Sequence, residues 1–432
     1  MTAGGSAKSY IGTFATNVFI QGCTVLQGIL LARILGPDGR GEYTAIILWP
    51  SLFASLGIVG VDMAIARQAG KYDDPKSFVQ IAILTALVTG GTTALLCGLS
   101  LPYLIPKALH HILPTVYLFI LFIPINHIVM NLQGIDLGLG NFTILNFSRA
   151  VLYPVYLLGI TLSWLLAHDK VYWCIVALIF ANASAVVFRI CNYKEVPLCS
   201  LSELKLNGSI VRDSFPFFCA SVLSTLYQQV DKMLLVWLLP VREIGYYTVA
   251  LSAGTVLNSL NQALGAVTFS DATRRLHRTG FPAVAQILRR GAIFSVIGAG
   301  FLGAALPFLL PLVYGNEFAG AVALALLLLP GATLAGLGGI VDQDLRGQGK
   351  PIAGVVARVV GLLIIAYVGW YLGRQMGAIG IAWGFMAGEA VSFAGLLFIA
   401  MRFYCDADIT HLVPRKNDLI FIWQRIITFA HR

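Results

Sequence analysis

Residues 318–341 read FAGAVALALLLLPGATLAGLGGIV, twenty-four positions without a charged side chain. A helix of that length reaches about 36 Å at ~1.5 Å per residue, enough to cross a hydrocarbon layer of about 30 Å. Turn signals and charge bracket the run, with Gly315-Asn316 before it and Asp342, Asp344, Arg346 and Lys350 directly after it. The same pattern recurs along the chain. Apolar runs fall at 10–32, 43–66, 78–100, 112–132, 146–167 and 171–191, and after a polar break at 215–239, 245–269, 287–312, 318–341, 352–373 and 378–401. Gly36-Pro37-Asp38-Gly39 reads as the turn after the first run.

Composition agrees with this reading. Of 432 residues, 58% are hydrophobic and 11% charged, and mean hydropathy is +0.81, whereas a soluble domain carries about 25% charged residues. The apolar set fills about twelve spans of ~20 residues. Such a chain is neither a soluble enzyme with one anchor nor disordered, and it lacks the ~10-residue alternation of an outer-membrane barrel. The expected fold is an all-α polytopic membrane protein of about twelve transmembrane helices. The first run contains Asn17, Gln21 and Gln27 and reads as a retained helix, not a cleaved signal. The seven cysteines form no CxxC pair and read as packing residues.

Charge sets the orientation. With the N-terminus inside, 22 Lys and Arg fall on the cytoplasmic side and six outside, and Lys232 alone of the 29 lies within a span. Both termini are thus expected in the cytoplasm, and the net charge of +9 reflects cationic loops facing anionic headgroups, not nucleic-acid binding. The expected organisation is a six-helix bundle over 1–192, a cytoplasmic linker at 193–212, a second six-helix bundle over 213–401, and a tail at 402–432. In the tail, Leu419, Ile422, Trp423, Ile426, Ile427 and Ala430 recur at helical spacing opposite Asp418, Gln424, Arg425, Thr428 and Arg432, the pattern of an interfacial amphipathic helix.

The halves echo one another. Gly41-Glu42-Tyr43-Thr44 opens the second run and Gly245-Tyr246-Tyr247-Thr248 the eighth, an offset of 204. Asp136 to Asn141, after the fourth run, matches Asp344 to Lys350, after the tenth, with glycines offset by 209. An even number of spans per half leaves both copies in the same orientation, as in parallel repeats about an axis along the membrane normal. Two such bundles facing one another enclose a central cleft that rocking opens to either side, which is a transporter's architecture.

Polar groups inside spans face a cavity or a partner. Asp231 and Lys232 lie within the seventh run and Glu389 within the twelfth, where Gly384 and Gly388 let another helix approach. Glu389 and Asp231 are candidates for ion coupling, with hydrogen bonding to neighbouring groups as the alternative. His127 and Asn126 lie near the end of the fourth run, and Asn17, Gln21, Gln228, Gln229, Asn258, Asn261 and Gln262 add amides on the first, seventh and eighth helices. Those amides suit sugar hydroxyls or interhelical bonds. Arg149, Arg189 and Arg358 sit near inner ends, where guanidinium either clamps phosphate or snorkels. The cleft candidates are therefore Lys232, Asp231, Arg149, Arg358, His127, Asn258, Gln262, Asn17 and Gln21. No HExxH, GxSxG or Walker sequence is present, so no enzymatic activity, cofactor or metal is expected, and transport draws on an ion, potential or substrate gradient.

Leu31-Ala32-Arg33-Ile34-Leu35-Gly36-Pro37-Asp38-Gly39-Arg40-Gly41-Glu42-Tyr43 resembles the first-loop signature of bacterial polysaccharide flippases, members of the multidrug, oligosaccharidyl-lipid and polysaccharide exporter superfamily. Leu56-Gly57 to Ala66-Arg67, Gln133-Gly134-Ile135 to Gly140, and Val230-Asp231-Lys232 through Gly245-Tyr246-Tyr247 to Ala250 are similar to further segments of that family. The resemblance implies movement of undecaprenyl-pyrophosphate-linked oligosaccharide across the bacterial inner membrane for O-antigen, capsule or exopolysaccharide assembly. It also implies a proton or sodium counter-ion, membrane lipids as surroundings, and a polysaccharide polymerase and chain-length machinery as partners. The family's cavity is cationic, yet Lys232 is the one cation here well away from helix ends. A multidrug cation exporter of the same superfamily is the competing reading.

Overall fold

The computed structural model describes residues 3–70, 76–192, 208–255, 280–348, 350–404, 406–413, 415 and 418. Among the described residues there are helices and turns and no strands. Eight helices there are long and apolar enough to cross a membrane, nine when a pair bent by 41° counts as one span. The chain is a multi-pass, all-α membrane protein, and it divides into two compact units, Met1–Gln229 and Val230–Arg432.

The first unit opens with α1 (Ala3–Gly57), which is two helices joined at Gly36. Gly36 has φ 66° and ψ −177°, a backbone state open to a residue without Cβ, and Pro37 behind it is pre-set to begin the next arm. The turn expected over 36–39 is thus compressed to one residue, and the second arm starts six positions earlier than the apolar run suggested. That arm also ends early. Ile58 to Gly60 form a turn, with Val59 at φ 53° and Gly60 at φ 70°, so the run to residue 66 splits and its remainder is the short helix α2 (Val61–Ala69).

Helix α3 (Lys76–Leu104) follows, then α4 (Leu113–Phe119) and α5 (Phe122–Leu139), the pair bent by 41°, then α6 (Phe142–Leu166) and α7 (Lys170–Asn192). Gly134 and Gly138, one turn apart on α5, lie under the carbonyl oxygens of Asp62 and Ala66, where any Cβ would collide. This is close packing of a small-xxx-small face. It seats α2 over a core of Val61, Ile65, Val79, Leu132 and Ile135.

Helix α8 (Gly208–Leu238) carries the boundary between the units and breaks at Leu239-Pro240 before α9 (residues 241–255). The second unit continues with α10 (Phe281–Tyr314), α11 (Ala321–Gly347), α12 (Pro351–Met376) and α13 (Ala378–Phe403). As expected, Gly384 and Gly388 are contact points. They rest on the backbone of Gly369 and on the carbonyl of Gly361 in α12. Leu288, Ile340, Val341, Leu345, Ala357 and Leu396 form the core that joins α10 to α13.

The internal repeat persists in three dimensions. Helix α5 ends with the Asn141 N–H donating to the Asp136 carbonyl at 2.9 Å, and α11 ends with the Lys350 N–H donating to the Leu345 carbonyl at 2.9 Å. Both are six-to-one closures of a helix end, displaced by the 209 positions that relate the glycines. Within the units, α3 packs on α5, α6 on α7 and α5 on α7, just as α10 packs on α11, α12 on α13 and α11 on α13. The sequence-predicted linker at 193–212, the eighth run beyond 255 and the amphipathic tail beyond 418 lie wholly or mostly outside the described residues.

Candidate transport site

In the first unit a ladder of polar contacts joins α1 to α6. Asn146 Nδ2 donates to Thr13 Oγ1 at 2.9 Å, Arg149 Nη2 to Asn17 Oδ1 at 3.2 Å and Gln27 Nε2 to the Tyr153 carbonyl at 3.1 Å. The Tyr43 and Tyr156 hydroxyls meet at 2.5 Å. Two sequence candidates, Arg149 and Asn17, are thereby brought together. Gln21 lies one turn beyond Asn17 on the same side of α1, and both are exposed.

His127 is a different case. Its ring has no solvent exposure. Nε2 donates to the Ala54 carbonyl at 3.0 Å, in the last turn of α1 where carbonyls lack helical partners. In the neutral ring Nδ1 then accepts from the Thr89 hydroxyl, 2.9 Å away. His127 therefore ties α5 to α1 and α3.

In the second unit Asp231 is buried and accepts from the Tyr247 hydroxyl at 3.3 Å, across the α8–α9 break. Lys232 follows it and is partly exposed, and Glu389 is buried on α13. Asn258, Asn261 and Gln262 lie outside the described residues.

The arginines sort into two groups. Arg189 forms an ion pair with Asp136 between side chains 2% and 1% exposed, and its Nη2 also donates to the Leu132 carbonyl at 2.8 Å. Arg358 and Arg346 share Oδ2 of Asp342 at 3.2 and 3.1 Å. Arg289 and Arg290 share Asp418 at 2.7 and 3.3 Å, and Arg289 also reaches the His411 carbonyl. Arg358, a sequence candidate for the cleft, is thus neutralised within its own unit by an acid one helix away. Arg149 differs, because its partner Asn17 is uncharged and among the described residues it has no carboxylate partner.

Sequence reasoning missed the roles of several acids at these helix ends. Asp136 and Asp344 were read as parts of Gly-rich repeat motifs, and Asp344 in fact accepts from Gln348 at 2.7 Å and Tyr404 at 2.9 Å. Their signal was their position: each follows closely after an apolar run, on the side where the arginines gather. Glu243 went unremarked too, and it caps α13 by accepting from the Ala378 N–H at 2.8 Å.

The profile of a family described as polysaccharide biosynthesis protein matches residues 6–269. No curated protein sequence matches the chain. Among solved structures, the fold is similar to the lipid II flippase MurJ in an inward closed conformation, with TM-score 0.74 and 12% identity, covering 91% of this chain and 87% of that one. It is similar also to an inward-facing multidrug resistance MATE family transporter of the MOP superfamily, with TM-score 0.72 and 14% identity over 88% and 93% of the chains. An outward-facing MATE family transporter of that superfamily gives 0.63 at 14% identity, over 91% and 94%.

Proposed function

The chain belongs to the polysaccharide biosynthesis protein family, and from this we propose that it is a flippase for undecaprenyl-pyrophosphate-linked oligosaccharide. The polar head moves from the cytoplasmic to the periplasmic leaflet of a bacterial inner membrane through a hydrated cleft, while the lipid tail stays in the bilayer. Both termini face the cytoplasm, and access to the cleft alternates between the two sides.

Arg149 carries the reading. It sits two turns into α6 and is held by a neutral amide, whereas Arg189, Arg289, Arg346 and Arg358 are each matched by an aspartate. A cation at that depth is expensive unless something compensates it, and a diphosphate accepts a guanidinium bidentately. Lys232 supplies a second positive charge in the other unit. Asp231 and Glu389 are the groups for proton or sodium coupling. Asn17, Gln21, Asn258 and Gln262 complete the proposed cleft, with membrane lipids around it and a polymerase and chain-length machinery downstream; His127, enclosed between Ala54 and Thr89, stays outside it.

The test is deletion of the gene followed by analysis of lipid-linked intermediates on each leaflet. Intermediates should accumulate on the cytoplasmic side, and Arg149→Ala or Lys232→Ala should reproduce the defect with normal amounts of protein in the membrane. A multidrug cation exporter of the same fold would instead leave the intermediates unchanged and sensitise cells to cationic compounds, with Glu389→Gln abolishing that resistance.

A further inference from the structure

Helix α1 presents two unlike surfaces. Thr13, Asn17, Gln21, Thr24 and Gln27 fall within an arc of about 120° at 3.6 residues per turn. Exposed Phe14, Val18, Phe19, Val25 and Leu26 occupy the rest. Helix α6 takes up part of the polar arc through Thr13, Asn17 and Gln27. The remainder is exposed. Among the described residues the Gln21 amide has no partner, Asn17 uses only its oxygen, and Thr24 donates back to the Ile20 carbonyl at 2.9 Å with its lone pairs left over. Acyl chains cannot satisfy amides at membrane depth. This edge of α1 therefore faces water or a polar ligand.

The chemistry of that ligand follows from the groups. Amides and a hydroxyl offer donors and acceptors side by side without net charge, which matches a polyhydroxylated neutral surface and fits neither a bare anion nor a cation. The one charge nearby is Arg149, at the Asn17 end of the edge. From Asn17 to Thr24 the helix rises about 10 Å. Resting on the function proposed above, we infer that Asn17, Gln21 and Thr24 form a saccharide track: Arg149 holds the diphosphate, and the first sugars run along α1 toward the bend at Gly36. Arg149 then sets the demand for a diphosphate, and Gln21 and Thr24 set which glycans are accepted.

The experiment measures binding to the full chain in lipid nanodiscs with two probes: undecaprenyl diphosphate alone, and the lipid-linked oligosaccharide extracted from cells deleted for the gene. Gln21→Leu and Thr24→Val should each weaken glycolipid binding about two- to tenfold, the loss of one hydrogen bond, and leave bare diphosphate binding unchanged. Arg149→Ala should weaken both. Gln21→Asn and Thr24→Ser, which keep the polar group, should retain more affinity for the glycolipid than the apolar variants. Unchanged glycolipid binding in the apolar variants, or equal losses for both probes, overturns the track and leaves the diphosphate site standing. Wild-type protein that binds the two probes equally overturns it as well. Wild-type protein that binds neither overturns the flippase reading itself.

Discussion

Replacing Arg189 with methionine tests whether the buried ion pair at the end of α5 is structural. Both side chains are almost wholly enclosed, Arg189 at 2% and Asp136 at 1% exposure, so the substitution strands a carboxylate in a low-dielectric site and removes the bond to the Leu132 carbonyl at 2.8 Å. Removing one member of such a pair costs about 3–5 kcal/mol. Replacing both with apolar residues of similar volume is often neutral. Arg189→Met should therefore lower the midpoint of thermal unfolding in detergent by about 6–20 °C for a unit of this size, and Arg189→Met with Asp136→Leu should recover most of the loss. A single variant as stable as wild type would refute the reasoning, and so would a double variant no better than the single. A double variant that folds well but exports no polysaccharide would move Arg189 from the scaffold to the transport path.

The strap after α13 should respond to acid in a defined window. Burial alone would raise the Asp418 carboxyl, but bonds from Arg289, the Arg415 N–H and Arg290 hold it below the usual carboxylate value. A depressed value means the clasp stabilises the fold above about pH 4 and fades as pH falls through the lowered value. Hydrogen exchange over residues 406–413 should therefore be the same at pH 7 and pH 5, after correction for intrinsic rates. Asp418→Asn should raise it at both, and loosening of the wild-type strap between pH 7 and 5 would contradict the assignment. In the first unit, Gly138→Leu should displace α2, because even a Cβ there strikes the Ala66 carbonyl. Gly22→Ala, which meets nothing within 4 Å, should be tolerated, and equal membrane yields of the two would count against the packing.

Where the sequence erred, it erred on geometry that one or two residues control. The apolar run to residue 66 looks continuous because hydropathy does not register a positive φ at Val59 and Gly60. The four-residue turn after the first run shrinks to Gly36 because glycine breaks the helix alone and Pro37 restarts it. His127 was open between a cavity role and packing, and the choice turned on Ala54 and Thr89, which are neighbours only after folding. The α1 face was legible in part. The spacing of Asn17 and Gln21 put them on one side, while the contact to Arg149 needed the packed pair of α1 and α6.

Hydropathy is local and cumulative, so membrane class, the number and succession of spans and the duplication of halves can be read along the chain without knowing what touches what. Charge compensation is neither. Arg289 and Asp418 stand 129 positions apart, and Arg358 finds Asp342 only when α12 packs on α11. Which arginines meet an aspartate, and that Arg149 meets none among the described residues, is decided by helix packing, because an ion pair needs contact within a few ångströms and sequence distance says nothing of that.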